Sequence, residues 1–262
     1  MNAVDNFMQM SMNSRANMPL ILMSRGMEKY PRQERVIICA PGPSLQRFLE
    51  EYEPSPSDHI ISTSRAAKSL IKNNIFPHSI IHIDFQEKYF SFIEDLDLSN
   101  INLILGDSCP APFYDKPCLE RWSYRNSLNP VTLEVALKVK QFGYRPSIDS
   151  IGSVSADALQ LAITTGAKQI IVAGQDGSLQ NGFYYDGEEY PVDPQVETQI
   201  LGQNKKMLRT TVVYVQFIDR FRLIAKTCRS VAPDMQFINF SPGGAFIEGW
   251  DHVEHWDQIK HQ

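Results

Sequence analysis

Two aspartates stand where apolar runs end, and they are the residues of this 262-residue chain best placed to handle a proton. Asp84 closes the run SIIHID at 79–84, and Asp176 follows the run KQIIVA at 168–173 by way of Gly174 and Gln175. A carboxylate leaving a buried strand is costly unless it is paired or turned toward a ligand, so both are candidates for general-base work. A second set of residues could hold an anion. The stretch VIICAPGPSLQRFL (36–49) reads as a buried strand, a tight turn and an amphipathic helix. In that turn Gly42 lets a ligand approach the backbone, Pro43 has the fixed φ suited to a first helical position, and Ser44 adds a hydroxyl beside the free N–H groups of the first turn. Free N–H groups at the positive end of a helix make a phosphate seat. The same turn would also serve any α/β protein after its first strand. Neither GxGxxG nor GxxxxGK[ST] is present.

Other candidates share this pattern of small polar residues between a strand and a helix. Thr63 and Ser64 follow a short strand at 59–62 and precede a helix at 65–74, where they either face a ligand or only cap the helix. Ser153 and Ser155, in the block GSVS, open a helix rich in Ala and Leu, and Gln175 precedes Asp176. A polar loop at 178–201 carries Tyr184 and Tyr185, which could face a phosphate or pack on the sheet edge. Arg209 either neutralises a phosphate or is a surface residue at a helix start. His252 and His255 have no third ligand at metal spacing and read as surface histidines, so no metal site is expected.

These residues need elements to position them. Strand candidates at 36–40, 59–62, 79–84, 101–105, 168–173 and 236–239 alternate with helices at 45–49, 65–74, 132–142, 156–165 and 212–229. That alternation predicts an α/β fold, a mainly parallel, Rossmann-like three-layer sheet with helices on both faces. With right-handed crossovers the strand ends bring Gly42, Ser44, Thr63, Asp84, Ser153, Gln175, Asp176 and Ser241 to one edge. The segment 109–130, with Trp122, Tyr124 and Arg125, is too long for a plain connector and reads as a lid or substrate loop, or as an outer aromatic cluster. Residues 1–30 hold seven of the nine methionines and read as a docked or frayed arm that is also a candidate homo-oligomer contact. The expected division is this arm, one α/β nucleotide(-sugar)-binding domain at 31–250, and a tail at 251–262.

Composition narrows the function classes. A net charge of -5 argues against nucleic acid or an anionic membrane as the main partner. No apolar run of about 18 residues is present, so no membrane span is expected. Four scattered cysteines without a CxxC pair fit a reducing compartment, and without a signal-peptide pattern the expected location is cytoplasmic.

Four blocks in this order, PGPSL (41–45), the strand ending in Asp84, GSVSADALQLAITTGAKQIIVAGQD (152–176) and RTT with NFSPGGAFIEG (239–249), resemble the Maf flagellin glycosylation family. That family shares a domain label with 6-hydroxymethylpterin pyrophosphokinase (MptE-like) proteins and has a core similar to bacterial sialyltransferases. The resemblance implies a glycosyltransferase that moves a sialic-acid-like (nonulosonic acid) sugar from a CMP-activated donor to a glycan or protein hydroxyl, with no obligatory metal. Carried over, Gly42, Pro43 and Ser44 match the nucleotide-binding turn, Asp84 the acidic residue after the third strand, Ser153 and Ser155 the small hydroxyls, and Gln175 with Asp176 the Gly-Gln-Asp. Three departures stand out. The flanking domains of Maf proteins are missing here, no histidine lies between His82 and His252 to match the sialyltransferase base, and the acidic motifs expected of a pyrophosphokinase using Mg2+ and ATP are not seen. A Mg-ATP pyrophosphokinase acting on a pterin, and a non-catalytic nucleotide-binding module, are the alternatives.

Overall fold

The computed structural model describes residues 3–126, 147–148, 152–179 and 197–259. Its centre is a ten-stranded sheet. The core strands are β2 (Arg35–Cys39), β3 (Asp58–Thr63), β4 (Ser79–His82), β5 (Asn102–Gly106), β8 (Gln169–Ala173) and β11 (Gln236–Phe240). Each is a run of branched aliphatic residues buried on both sides, the composition expected of a parallel sheet covered on both faces. The short strands β1 (Arg25–Gly26), β6 (Arg121–Asn126), β7 (Ser147–Ile148) and β12 (Asp251–His252) extend it. The order is β1-β6-β5-β4-β3-β2-β8-β11-β12, with β7 paired to β6, and every pairing in this sheet is parallel.

Alternate residues of each strand feed two cores. On one face Val36, Ile38, Ile61 and Val172 pack with α6 (Val154–Thr164) and α7 (Val212–Val231). On the other, Ile37, Cys39 and Ile60 pack with α3 (Leu45–Glu51) and α4 (Ser64–Lys72). The expected three layers are therefore present. The chain runs from β2 outward to β3, β4 and β5, then returns to place β8 on the other side of β2. That reversal opens a crevice beyond the carboxyl ends of β2 and β8, where doubly wound sheets bind ligands.

Several segments differ from the sequence expectation. Within 109–126 the chain is not a lid: it forms α5 (Ala111–Asp115) and then β6, with Trp122 and Tyr124 buried in the core. The alternation RWSYRN turns large rings inward, which a reading based on continuous apolar runs passes over. The end of the polar loop is β9 (Glu197–Leu201), which pairs antiparallel with β10 (Met207–Thr211) as a separate hairpin. In the arm, α1 (Ala3–Ala16) and α2 (Met18–Met23) are docked: Asn13 donates to the Phe85 and Ser108 carbonyls, and Asn17 to that of Cys109. At the other terminus Trp256 is buried against Phe48, Tyr52 and Phe240, and His252 is half-buried and stacked on Phe246 instead of lying on the surface. The helix expected at 132–142 lies outside the described residues.

Candidate functional site

A cavity of about 290 Å³ lies at the crevice. Gly42, Pro43, Thr63, Ser64, Asp84, Ser153, Ser155, Gln175 and Asp176 all line it, so residues expected to share an edge do share one cavity. Tyr184 and Tyr185 lie outside the described residues. Ser44 does not line the cavity, and Ser241 is buried beneath it, accepting from the Gln175 amide at 2.9 Å.

The turn after β2 works differently from its sequence expectation. Ser44 donates from its amide (3.1 Å) and its hydroxyl (2.8 Å) to Oδ2 of Asp176, so these donors hold a carboxylate of the protein itself. Gly42 is needed for the same contact. A Cβ there would lie 2.1 Å from Asp176 Oδ2 and 2.4 Å from the Gly174 carbonyl, so the space is taken by the neighbouring turn. Gly174, with φ +72°, in turn lets its backbone lie against Ala40.

Asp176 is 2% exposed, and burial pushes its pKa up to about 6 against the pull of the two Ser44 donors. Its other oxygen, Oδ1, has no hydrogen-bond partner among the described residues. Asp84 lies two residues past β4 with its pKa raised by burial, while Oδ1 accepts from the Gln86 amide at 2.9 Å. Around Gln175 the polar side chains form a chain: Ser153 and Ser155 hydroxyls lie 3.1 Å apart, and Ser155 donates to Gln175 Oε1 at 2.5 Å.

Three long helices begin at the cavity and differ in how their first turns are satisfied. Ser153 caps α6 by accepting from Ala156, and Thr211 caps α7 by accepting from Tyr214. The nine-residue α4 has no such cap. Its N-cap residue Thr63 is 4% exposed, and its Oγ1 has no partner among the described residues. The start of α4 therefore combines first-turn donors without a side-chain cap, the unpartnered Thr63 hydroxyl and the cationic Arg65 two residues on, which also lines the cavity.

Sequence reasoning missed His82, Arg65, Ser178 and four aromatic residues, Tyr89, Phe92, Tyr214 and Phe217. His82 is buried, with Nδ1 2.8 Å from the Ser64 hydroxyl, and burial lowers its pKa to about 3 while the Asp84 backbone pulls the other way. A signal existed: His82 and Asp84 are two apart in one apolar run, hence on the same side of an extended chain. Arg209, by contrast, points away. It is exposed and pairs with Glu197, with both nitrogen–oxygen contacts at 2.8 Å. No three His, Cys, Asp or Glu side chains gather to hold a metal ion among the described residues. Nor is any described helix long and apolar enough to cross a membrane.

Comparison with known proteins adds to this geometry. The Maf glycosyltransferase from Magnetospirillum magneticum AMB-1 has a similar structure, with a TM-score of 0.73 and 16% identity over 95% of this chain and 38% of that one. This likeness is one of fold, and the chain spans well under half the length of that protein. The sialyltransferase CstII from Campylobacter jejuni, in complex with a substrate analogue and cytidine-5'-monophosphate, matches loosely: TM-score 0.35, 12% identity, 84% of this chain and 85% of that one. The same enzyme with a trisaccharide acceptor and CMP gives 0.36 and 13%, over 85% and 87%. No curated protein matches the chain. A family model described as 6-hydroxymethylpterin diphosphokinase MptE-like matches residues 10–182. That match takes in the β2 turn, the start of α4, both aspartates and the β8 turn, and the chain belongs to the 6-hydroxymethylpterin diphosphokinase MptE-like family.

Proposed function

We propose that the chain is a glycosyltransferase that moves a sialic-acid-like (nonulosonic acid) sugar from a CMP-activated donor to a hydroxyl acceptor. One observation carries the reading: three buried polar atoms without hydrogen-bond partners among the described residues, Thr63 Oγ1, Asp176 Oδ1 and Ser178 Oγ, belong to residues lining one cavity. Unsatisfied buried polar groups are costly, and a polar ligand would relieve that cost.

In this reaction the bond between the sugar and the phosphate breaks as negative charge collects on the departing CMP. The uncapped start of α4, with Thr63 and Arg65, receives that charge. Asp176 takes the acceptor proton. Its Oδ2 is fixed by Ser44, its Oδ1 is unengaged, and a pKa of about 6 suits a base working near neutrality. Asp84 is the second candidate for that role. The hydroxyl–amide chain of Ser153, Ser155 and Gln175 offers neutral polar contacts to sugar or base.

The family match favours a second reading, pyrophosphoryl transfer from Mg-ATP to a pterin. There Asp84 and Asp176, each with one oxygen already engaged, would hold Mg2+ together with the nucleotide phosphates. Thermal shift with CMP, CDP, UDP, GDP and ATP, with and without Mg2+, separates the two readings. The expected result is stabilisation by CMP that survives EDTA; stabilisation confined to Mg-ATP would replace the first reading with the second.

A further inference from the structure

Ser64 is the first residue of α4, it lines the cavity, and its hydroxyl lies 2.8 Å from Nδ1 of His82. Both residues are buried, at 4% and 2% exposure. The imidazole lies face to face with the Phe113 ring, centroids 3.9 Å apart and planes within 12°, so packing fixes its orientation. Burial lowers its pKa to about 3, which keeps the ring neutral across the physiological range.

A neutral imidazole has one N–H, and its position decides what Ser64 shows to the cavity. With the hydrogen on Nδ1, the ring donates to Ser64 Oγ and the serine O–H is free to donate to a ligand. With the hydrogen on Nε2, Ser64 donates to the ring and turns only lone pairs outward. An anion at the start of α4 favours the first arrangement, because it gains a donor and avoids facing a lone pair. A separate observation marks this place as a ligand seat: the neighbouring Thr63 hydroxyl is buried, lines the cavity and has no partner among the described residues.

We propose that His82 is a positioning residue that turns the Ser64 hydroxyl proton toward an anionic group seated at the start of α4. The inference rests on the anion-binding half of the reading above and does not depend on which nucleotide carries the anion. It assigns His82 no contact with the reacting atoms and no gain of charge.

The test is a double-mutant cycle read by titration calorimetry at pH 7, with inorganic pyrophosphate and CMP as separate probes. Ser64→Ala and His82→Phe, which retains the stack on Phe113, are each expected to weaken binding about tenfold, as for one lost hydrogen bond to a charged group. The double variant is expected to bind no more weakly than Ser64→Ala alone. His82→Asn, whose amide reaches the Nδ1 position, is expected to restore most of the loss. The pH dependence of binding between 5 and 8 is expected to be the same in His82→Phe as in the wild type. Full multiplication of the two losses in the double variant overturns the proposal, as does wild-type affinity in Ser64→Ala, a variant mild enough to fold. Pyrophosphate binding that obeys the cycle without any CMP binding keeps the positioning role and removes the CMP reading. Failure of the wild type to bind either probe removes both.

Discussion

The two ends of the central sheet both bury polar side chains, yet treat them in opposite ways. At the amino end, Asp58 at the start of β3 lies 2.8 Å from Arg35 Nε at the start of β2, and its other oxygen accepts from the Tyr52 hydroxyl at 3.0 Å and the Ser55 amide at 3.2 Å. Beside it the Tyr30 hydroxyl joins His59 Nε2 at 2.8 Å and also bonds Ser79, while His78 Nδ1 accepts from the Ile60 amide. Arg35 Nε and Asp58 Oδ1 meet as an ion pair whose geometry is not that of a hydrogen bond, yet each has the other's opposite charge beside it, so these groups are matched among themselves. At the carboxyl end, Thr63, Asp176 and Ser178 each keep an atom without a hydrogen-bond partner among the described residues and without an opposite charge supplied as Arg35 is to Asp58, and those residues line the cavity. Buried polarity of the first kind supports the fold, and buried polarity of the second kind awaits a ligand.

The contrast can be broken from either side. The largest effect is expected at the amino end: Asp58→Ala leaves Arg35 without its partner and should cost about 3 kcal/mol, lowering Tm by about 8 °C. CMP and pyrophosphate affinity should stay within about twofold; a parallel loss of binding would show that the two ends are not separable. Asp176→Asn should act in the opposite direction on stability. Because its folded pKa is raised, the native state holds the Asp176 proton more tightly than the unfolded chain, so this carboxyl costs stability as pH climbs from about 4 to about 6 and stays costly above. The amide variant escapes that cost, so its Tm at pH 8 should exceed the wild type's by about 5 °C, equivalent to about 2 kcal/mol, with the gap closing below pH 4. Sugar transfer should nonetheless fall at least about a hundredfold, as for loss of a general base. Retained transfer would remove Asp176 from that role and leave Asp84. The smallest effect belongs to Ser44→Ala, which deletes one of the two donors to Oδ2 and should cost about 1 kcal/mol. The lost donor also lets burial raise the Asp176 pKa further, so the midpoint of the pH–activity curve should move upward from about 6; an unmoved midpoint would show that a different group sets it.

The sequence exposes the carboxyl end of the sheet better than its contents. Continuous runs such as VIIC and QIIVA announce strands because they are buried on both faces, and the Gly-rich turns after them announce where the crevice opens. Strand β6 hides because RWSYRN alternates, and β9 with β10 hides because a half-exposed hairpin reads as polar loop. Within the cavity, Gly42 and Asp176 look like independent ligand contacts along the chain, whereas in space one fills the gap left by the other's missing side chain. His82 escapes notice because a lone histidine in an apolar strand has no spacing signature, and its partner Ser64 lies eighteen residues earlier in the sequence. The four aromatics come from the stretch after β4 and from α7, elements that no local motif connects to the turns they face.

The clasp between the turns after β2 and β8 joins positions 132 apart in the chain, through Ser44 to Asp176 and the Gly42 amide to the Gly174 carbonyl. Neither wall of the cavity can therefore take shape as an early local event. The first half must wait for β8 to be threaded in beside β2, a long loop closure of the kind that slows folding. Ligand-binding competence should consequently be among the last properties recovered during refolding, trailing helix content, and a truncated chain ending before 169 should be helical in part yet unable to bind.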